Sequence, residues 1–373
     1  MKIAYVYDAV YPWVKGGAER RIYELSRRLA SRGHEVHCYG MKWWPGAGEI
    51  ENEGVHLHGI CPPMPLYRNG KRSIAEAAFF AGHLLALRSR CDVMDCQNFP
   101  YLSCFSAKLV SSLQGQRLFL TWHEVWGDYW QEYLGGLGRA GQLVEWSAAH
   151  LTARNIAVSK RTERDLSGLG ARDIQIVPNG IDWQEIRRVP ASELQSDVIY
   201  VGRLARHKNV DQLIRAVGIV KQQLPGVRAL VIGDGPEMDG LKSLVRSQNL
   251  EENVRFLGFV EDYNEALALM KSSRVFVMPS TREGFGLAAL EANACGLPVV
   301  TVKHRMNAVT DLVSENNGVV CSPTEKDLAR AILSAHQKST RMRGQCMEAA
   351  RRYDWNEISL RAERVYEGKA SIC

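Results

Sequence analysis

The 373-residue sequence contains no Cys-x-x-Cys pair, no Asp-x-Asp and no Asn-x-Ser/Thr sequon. Its nine cysteines are odd in number and irregularly spaced. That speaks against a disulfide framework or a structural zinc site, and predicts reduced thiols in a cytoplasm. Long hydrophobic runs are also missing. The longest apolar-rich stretch, Ile74 to Leu87, is interrupted by Glu76 and His83, so it is too short and too polar to span a bilayer. The N-terminus starts with a strand-like run, Ile3 to Tyr7, without the layout of a signal peptide. The expectation is a cytoplasmic protein, or one resting on the cytoplasmic face of a membrane. Charge of one sign is scarce: 47 Lys plus Arg against 41 Asp plus Glu leave +6. This excess is too small to argue for a nucleic-acid partner. No tandem repeat or low-complexity segment occurs. A 46% apolar and 24% charged composition excludes a disordered, collagen-like or coiled-coil chain. At about 150 residues per domain, two domains fit the length best.

Short β-rich runs alternate with amphipathic helical runs. Ile3–Tyr7, Glu35–Tyr39, Val55–Gly59, Leu118–Thr121, Asn155–Val158 and Ile174–Val177 read as strands in the first half. Asp197–Val201, Arg228–Ile232, Val254–Leu257, Val275–Met278 and Val299–Val302 continue the series. Ala18–Ser31, Val210–Gln222, Met238–Ser247, Tyr263–Ser272 and Leu287–Ala294 read as helices. This alternation implies parallel sheets with right-handed crossovers. The predicted fold is α/β, with two Rossmann-like doubly wound domains facing a cleft. Residues 1–185 form the first and 196–354 the second, with Asp182–Ser196 as the linker. Ligands of such sheets bind at the carboxyl ends of strands.

Several strand ends carry chemistry. Gly16-Gly17-Ala18-Glu19 follows the first strand and opens a helix. Paired glycines there permit close backbone approach and leave N–H groups for an anion; a tight turn is the plainer alternative. Gly202-Arg203 and Lys208-Asn209 follow a strand in the second half. Arg203 and Lys208 suit a diphosphate as fork and point charge, unless they belong to a solvated loop. Gly233-Asp234-Gly235-Pro236 lacks the third glycine of a dinucleotide fingerprint and reads better as a structural turn. The richest segment runs from Pro279 through Glu283-Gly284-Phe285-Gly286-Leu287 into a helix carrying Glu291. Its helix-end N–H groups suit an anion. The helical carboxylate suits a ribose diol, and the loop carboxylate suits sugar hydroxyls. His56 and His58 alternate on a predicted strand and could share a metal, although a satisfied pair is the simpler reading.

In order, Gly16-Gly17-Ala18-Glu19, Val177-Pro178-Asn179-Gly180-Ile181-Asp182, Gly202-Arg203 with Lys208-Asn209, Gly233-Asp234-Gly235-Pro236, Phe256-Leu257-Gly258-Phe259-Val260 and the Glu283-x7-Glu291 pair span nearly the whole chain. Each piece is weak alone, but the ordered set resembles the retaining glycosyltransferases of family 4, which have the GT-B fold. The resemblance implies that Glu291 binds the nucleotide ribose, and that Arg203 and Lys208 hold the diphosphate with the N–H groups of Gly284, Phe285, Gly286 and Leu287. Gly16 and Gly17 would meet the phosphates from the other domain. Glu283 would touch the donor sugar, and the backbone near Phe259 and Val260 the base. His123, in Thr121-Trp122-His123-Glu124, matches the family's histidine near the donor sugar. The last segment, residues 355–373, would pack back on the first domain.

The implied partners are a UDP- or GDP-sugar donor and a glycan or lipid-phosphate-linked acceptor, with no metal and no cofactor. His123 would act as a base or as a neutral hydrogen-bonding group. Glu283 is a conceivable nucleophile, but front-face attack is the expected route. On the acceptor side, Arg68, Lys71 and Arg72, with Trp126 and Tyr129, would meet a lipid-linked phosphate at a membrane surface; ordinary loop and core packing is the alternative. A UDP-sugar 2-epimerase or a non-catalytic nucleotide-sugar-binding subunit would also fit two such domains. The Glu283-x7-Glu291 segment favours transfer, and the intact His123, Arg203, Lys208 and Glu283 favour turnover.

Overall fold

The computed structural model describes residues 1–68 and 71–369. Asn69 and Gly70 of the basic stretch, and the last four residues of the predicted 355–373 segment, lie outside them. The chain divides into two units. Residues 1–179 and the chain from Trp355 onward form unit 1, and Gly180–Asp354 forms unit 2.

Unit 1 runs β1 (Lys2–Val6), α1 (Gly17–Ser31), β2 (Glu35–Met41), β3 (Glu49–Asn52), β4 (Val55–Cys61), β5 (Tyr67–Arg68), β6 (Lys71–Arg72), α2 (Ile74–Leu84), β7 (Val93–Asn98), α3 (Leu102–Gln114), β8 (Arg117–Trp122), α4 (Tyr129–Leu134), α5 (Gly138–Ala149), β9 (Asn155–Ala157), α6 (Lys160–Gly168) and β10 (Ile174–Ile176). Its main sheet has the order β10-β9-β8-β7-β1-β2-β4-β3. All pairs are parallel except β3 with β4. Helices cover both faces, so β1 is buried on both sides: Ile3, Ala4, Tyr5 and Val6 are all at most 1% exposed. Ile22, Leu25 and Leu29 of α1 enter the core on one face. Phe80 and Leu84 of α2, with Cys104, Ala107 and Val110 of α3, enter the core on the other.

Unit 2 runs α7 (Trp183–Arg188), β11 (Ser196–Val201), α8 (Val210–Val220), β12 (Ala229–Ile232), α9 (Met238–Ser247), β13 (Val254–Gly258), α10 (Tyr263–Lys271), β14 (Ser273–Met278), β15 (Arg282–Glu283), α11 (Leu287–Ala294), β16 (Val299–Val302), β17 (Met306–Asn307), β18 (Gly318–Cys321) and α12 (Glu325–Arg351). The sheet β13-β12-β11-β14-β16-β18 is parallel throughout. The final helix, α13 (Trp355–Tyr366), returns to unit 1. It buries Trp355, Ile358, Ala362, Val365 and Tyr366 in the core that holds α1.

The boundary between the units corrects the expected linker. Asp182–Ser196 is part of unit 2, because Ile181 N–H donates to Tyr353 O at 2.9 Å and Trp183 N–H to Asp354 Oδ2 at 3.1 Å. The strand β7 was not expected. Asp95, Gln97 and Asn98 interrupt its apolar pattern, yet all six residues are buried.

In both sheets the strand order reverses beside the first strand of the unit, between β7 and β1 and between β11 and β14. Such switch points open a crevice at the carboxyl ends of the strands.

Candidate active site

In unit 2, the loops after β11 and β14 flank the switch point and are tied together. Thr281 N–H donates to His207 O at 3.0 Å, and Asn209 Nδ2 donates to Pro279 O at 3.0 Å. Lys208 Nζ lies 2.5 Å from Glu283 Oε1. Three of the predicted residues therefore share one place: Arg203 and Lys208 from the first loop, and Glu283 from the second. Arg203 is exposed. The His207 imidazole reports the charge of this edge. Burial, followed by the cations Arg282, Lys208 and Arg203, pushes it down to about 3. Burial comes first in that shift, the nearby cations add to it, and the charge of Lys208 is already met by Glu283.

The adjoining glycines serve close backbone approach. A Cβ on Gly233 would stand 2.0 Å from Gly202 O, and one on Gly235 would stand 2.3 Å from Leu204 O. The Gly233-Asp234-Gly235 turn thus seats the Arg203 loop, as a structural turn should. Gly286 caps α11 at φ +94° with no side-chain cap hydrogen bond, so its first-turn N–H groups are not met by a side chain of the cap. Gly284 precedes them half-buried, while the Phe285 ring is buried and packs edge-on against Tyr353. Only the backbone of Phe285 is therefore offered to a ligand. Glu291, half-buried one turn into α11, accepts a 2.8 Å hydrogen bond from Tyr263 OH. Phe259 is 65% exposed just beyond β13, and Val260 is half-buried.

Unit 1 presents a different edge. Gly16 caps α1 and Gly17 begins it. The carboxylate of Glu19 folds back against Gly16, where a Cβ would meet its Oε2 at 2.3 Å. Burial raises the Glu19 carboxyl above its ordinary range. His123 follows β8 directly and is half-buried, with Nε2 3.1 Å from Gln97 Oε1. Burial and the charge of Arg21 push it down to about 3, so the ring is neutral.

The basic and aromatic acceptor candidates separate. Arg68 is exposed. Lys71 is exposed and its Nζ reaches Tyr133 O at 2.5 Å. Arg72 is not a surface cation: its side chain is 6% exposed, pairs with Asp8 and lies beside Glu76. Trp126 is likewise a core residue, 7% exposed and packed among Phe99, Trp130 and Tyr133, with Nε1 donating to Glu124 at 2.6 Å. Tyr129 is half-buried against Trp126. For Arg72 and Trp126, then, packing replaces the expected ligand role: the buried Asp8 carboxylate needs the guanidinium, and the core takes the indole. His58 bonds Glu49 at 3.0 Å and His37 at 2.9 Å, and His56 stacks on His37. Among the described residues, no group of three or more His, Cys, Asp or Glu side chains is placed to hold a metal ion. No described helix is long and apolar enough to cross a membrane.

Three residues escaped the sequence reading. Asp95 and Gln97 lie in the unexpected β7, and their i, i+2 spacing was the only trace that they share a face. Tyr263, the partner of Glu291, stood at a helix start with no distinguishing motif.

Comparison with known proteins agrees with this geometry. Residues 182–353 match the family model "Glycosyl transferases group 1", and residues 15–185 match "Glycosyltransferase Family 4". The chain is 31% identical over 399 residues to glycogen synthase of Mycobacterium tuberculosis, covering 98% of this chain and 94% of that protein. It is 25% identical over 387 residues to the gpi3 subunit of phosphatidylinositol N-acetylglucosaminyltransferase from Schizosaccharomyces pombe, covering 99% of this chain and 80% of that one. The solved structure of Anabaena HepE in complex with UDP-glucose superposes with a TM-score of 0.72 at 21% identity, covering 98% of this chain and all of that one. The chain belongs to the family 4 glycosyltransferases of group 1, enzymes of class EC 2.4 with the GT-B fold.

Proposed function

We propose that this glycosyltransferase moves a sugar from a UDP- or GDP-sugar to a hydroxyl of a glycan or lipid-linked acceptor, with retention of configuration and without a metal. The observation that carries this reading is the pairing of Lys208 with Glu283 at the unit 2 switch point, beside exposed Arg203. The cations would take the diphosphate, Glu283 the sugar hydroxyls, and Glu291 with Tyr263 the ribose diol. In unit 1, His123 would meet the donor sugar and Gly16 and Gly17 the phosphates.

In the reaction, the bond between the sugar C1 and the diphosphate oxygen breaks, and its electron pair stays on the diphosphate. The acceptor oxygen bonds to C1 on the same face, and its proton passes to the departing phosphate oxygen. Negative charge is greatest on that oxygen in the oxocarbenium-like transition state. Arg203, Lys208 and the α11 N–H groups would stabilise it most at that moment. UDP-glucose in HepE supports a uridine donor, and the phosphatidylinositol named in the Schizosaccharomyces relative supports a lipid-linked acceptor at a membrane surface.

Calorimetric titration with UDP and GDP tests the donor site. The wild type should bind one of them in EDTA, and Glu291→Ala should weaken that binding. Failure to bind either nucleotide, or a requirement for added manganese, would overturn the reading. NMR of the fresh product would show the retained anomer, and an inverted one would remove the front-face route.

A further inference from the structure

A chain of buried polar groups runs through unit 1 from α13 to His123. Asp95 is 1% exposed at the centre of the sheet. Its Oδ2 accepts from Tyr366 OH at 2.5 Å, and its two oxygens accept from Thr121 Oγ1 at 2.8 and 3.0 Å. Oδ1 also accepts from Gln97 Nε2 at 2.8 Å. With its one proton directed to Asp95, Tyr366 can only accept from Tyr5, whose hydroxyl is 3.1 Å away. The Asp95 carboxyl lies above its ordinary value because burial raises it more than the hydrogen bonds of Tyr366 and Thr121 and the charge of Arg21 lower it. A carboxylate so surrounded by donors stays an acceptor.

This fixes the Gln97 amide. An acceptor-only carboxylate must face the NH2 end, so the carbonyl end must face the histidine. A carbonyl oxygen 3.1 Å from His123 Nε2 requires a proton on that nitrogen. The ring is neutral and holds one proton, so Nδ1 carries the lone pair.

We propose that Asp95 and Gln97 are positioning residues that lock His123 as its Nε2–H tautomer, so that Nδ1 is offered as a hydrogen-bond acceptor to a substrate hydroxyl, with Tyr366 of α13 anchoring the chain from the far end. His123 is then excluded as a general base through Nε2. Its task is to recognise an O–H group. That the hydroxyl belongs to the donor sugar rests on the function proposed above; the tautomer does not.

The test is NMR of ring nitrogens in full-length protein labelled with 15N-histidine, with the His123 signals assigned by their loss in His123→Gln. Wild type should show a neutral ring protonated at Nε2. A ring protonated at Nδ1, or at both nitrogens at neutral pH, would overturn the proposal without any further variant. In Asp95→Asn, the new amide can donate to Gln97 Oε1, the Gln97 amide can turn over, and the His123 proton should move to Nδ1. In Gln97→Leu both tautomers should appear. Both variants should lower kcat about tenfold, as for one lost hydrogen bond, while UDP or GDP affinity stays within twofold. Circular dichroism would identify a variant that fails to fold, in which case Tyr366→Phe, which removes one donor from Asp95, takes its place with a partial shift expected. An unchanged tautomer in every folded variant would refute the lock. A locked tautomer in a protein that binds no nucleotide would leave the lock standing and refute the proposed function instead.

Discussion

The two units build the same kind of sheet and use its carboxyl edge in opposite ways. In unit 2 the edge keeps an exposed cation, Arg203, beside the half-buried Lys208–Glu283 pair. In unit 1 the charges are sunk and spent on one another. Arg72 is held by Asp8 beside Glu76, Asp95 is surrounded by donors, and His123 is neutral. A site that must bind and release a dianion needs charge that water can reach, because a buried cation without a partner is too costly to keep. A site that must orient a sugar hydroxyl needs fixed neutral groups instead. The contrast teaches that depth rather than residue type separates cations spent on packing from those left open to solvent.

The strongest way to break that contrast is Arg72→Ala. It leaves Asp8 buried without its counter-charge and should cost about 3–5 kcal/mol of stability, read as a shifted denaturation midpoint. A loss below about 1 kcal/mol would return Arg72 to the surface group. Next is Arg203→Ala, which should lower kcat/KM roughly 10²- to 10³-fold, the usual effect of removing one preorganised donor. Its effect on nucleoside monophosphate affinity should be slight if its charge addresses the diphosphate, as proposed. Equal losses for monophosphate and diphosphate would contradict that division.

A smaller effect sharpens the buried side. Burial, then the neighbouring Asp8 charge, raises the Glu76 carboxyl from 4.5 to about 8. The folded chain therefore holds a proton that the unfolded chain releases between those values. The associated stability is complete below about pH 4.5 and is lost as pH rises towards 8. Glu76→Gln cannot release that proton, so its denaturation midpoint should fall less than that of the wild type between pH 5 and 8; parallel curves would exclude the proton. The smallest effect belongs to Arg68→Ser with Lys71→Ser. These exposed changes should alter stability by no more than about 0.5 kcal/mol while raising KM for an anionic lipid-linked acceptor in a vesicle assay. An unchanged KM would leave the basic loop without an acceptor role.

Much of the fold was legible because parallel strands buried on both faces are written as apolar runs, as in Ile3–Tyr7 and Val299–Val302. The unit 2 site was legible for a related reason. A strand end, a glycine that allows close approach and a helix start must follow one another within a few residues, so Gly202-Arg203 and Glu283 through Leu287 could be read in place. In unit 1, Gly16, Gly17 and His123 could be read at strand ends, but the basic and aromatic candidates could not be sorted. Trp126 and Tyr129 looked alike, and Arg68 and Arg72 looked alike, yet one of each pair is buried.

Local order along the chain was therefore enough to establish the alternating strands and helices, the two sheets, the loops that carry Arg203, Lys208 and Glu283, and the helix that carries Glu291. Three-dimensional packing alone decided the depth of each polar side chain. Asp95 is buried in β7 with Tyr366, 271 residues away, and Thr121, on the neighbouring strand, both donating to it, and Arg72 is buried because Asp8 lies across from it. Hydrophobic patterning registers the transfer of apolar surface from water, which each residue carries with it. The burial of a polar group depends on a partner that only the folded chain brings near.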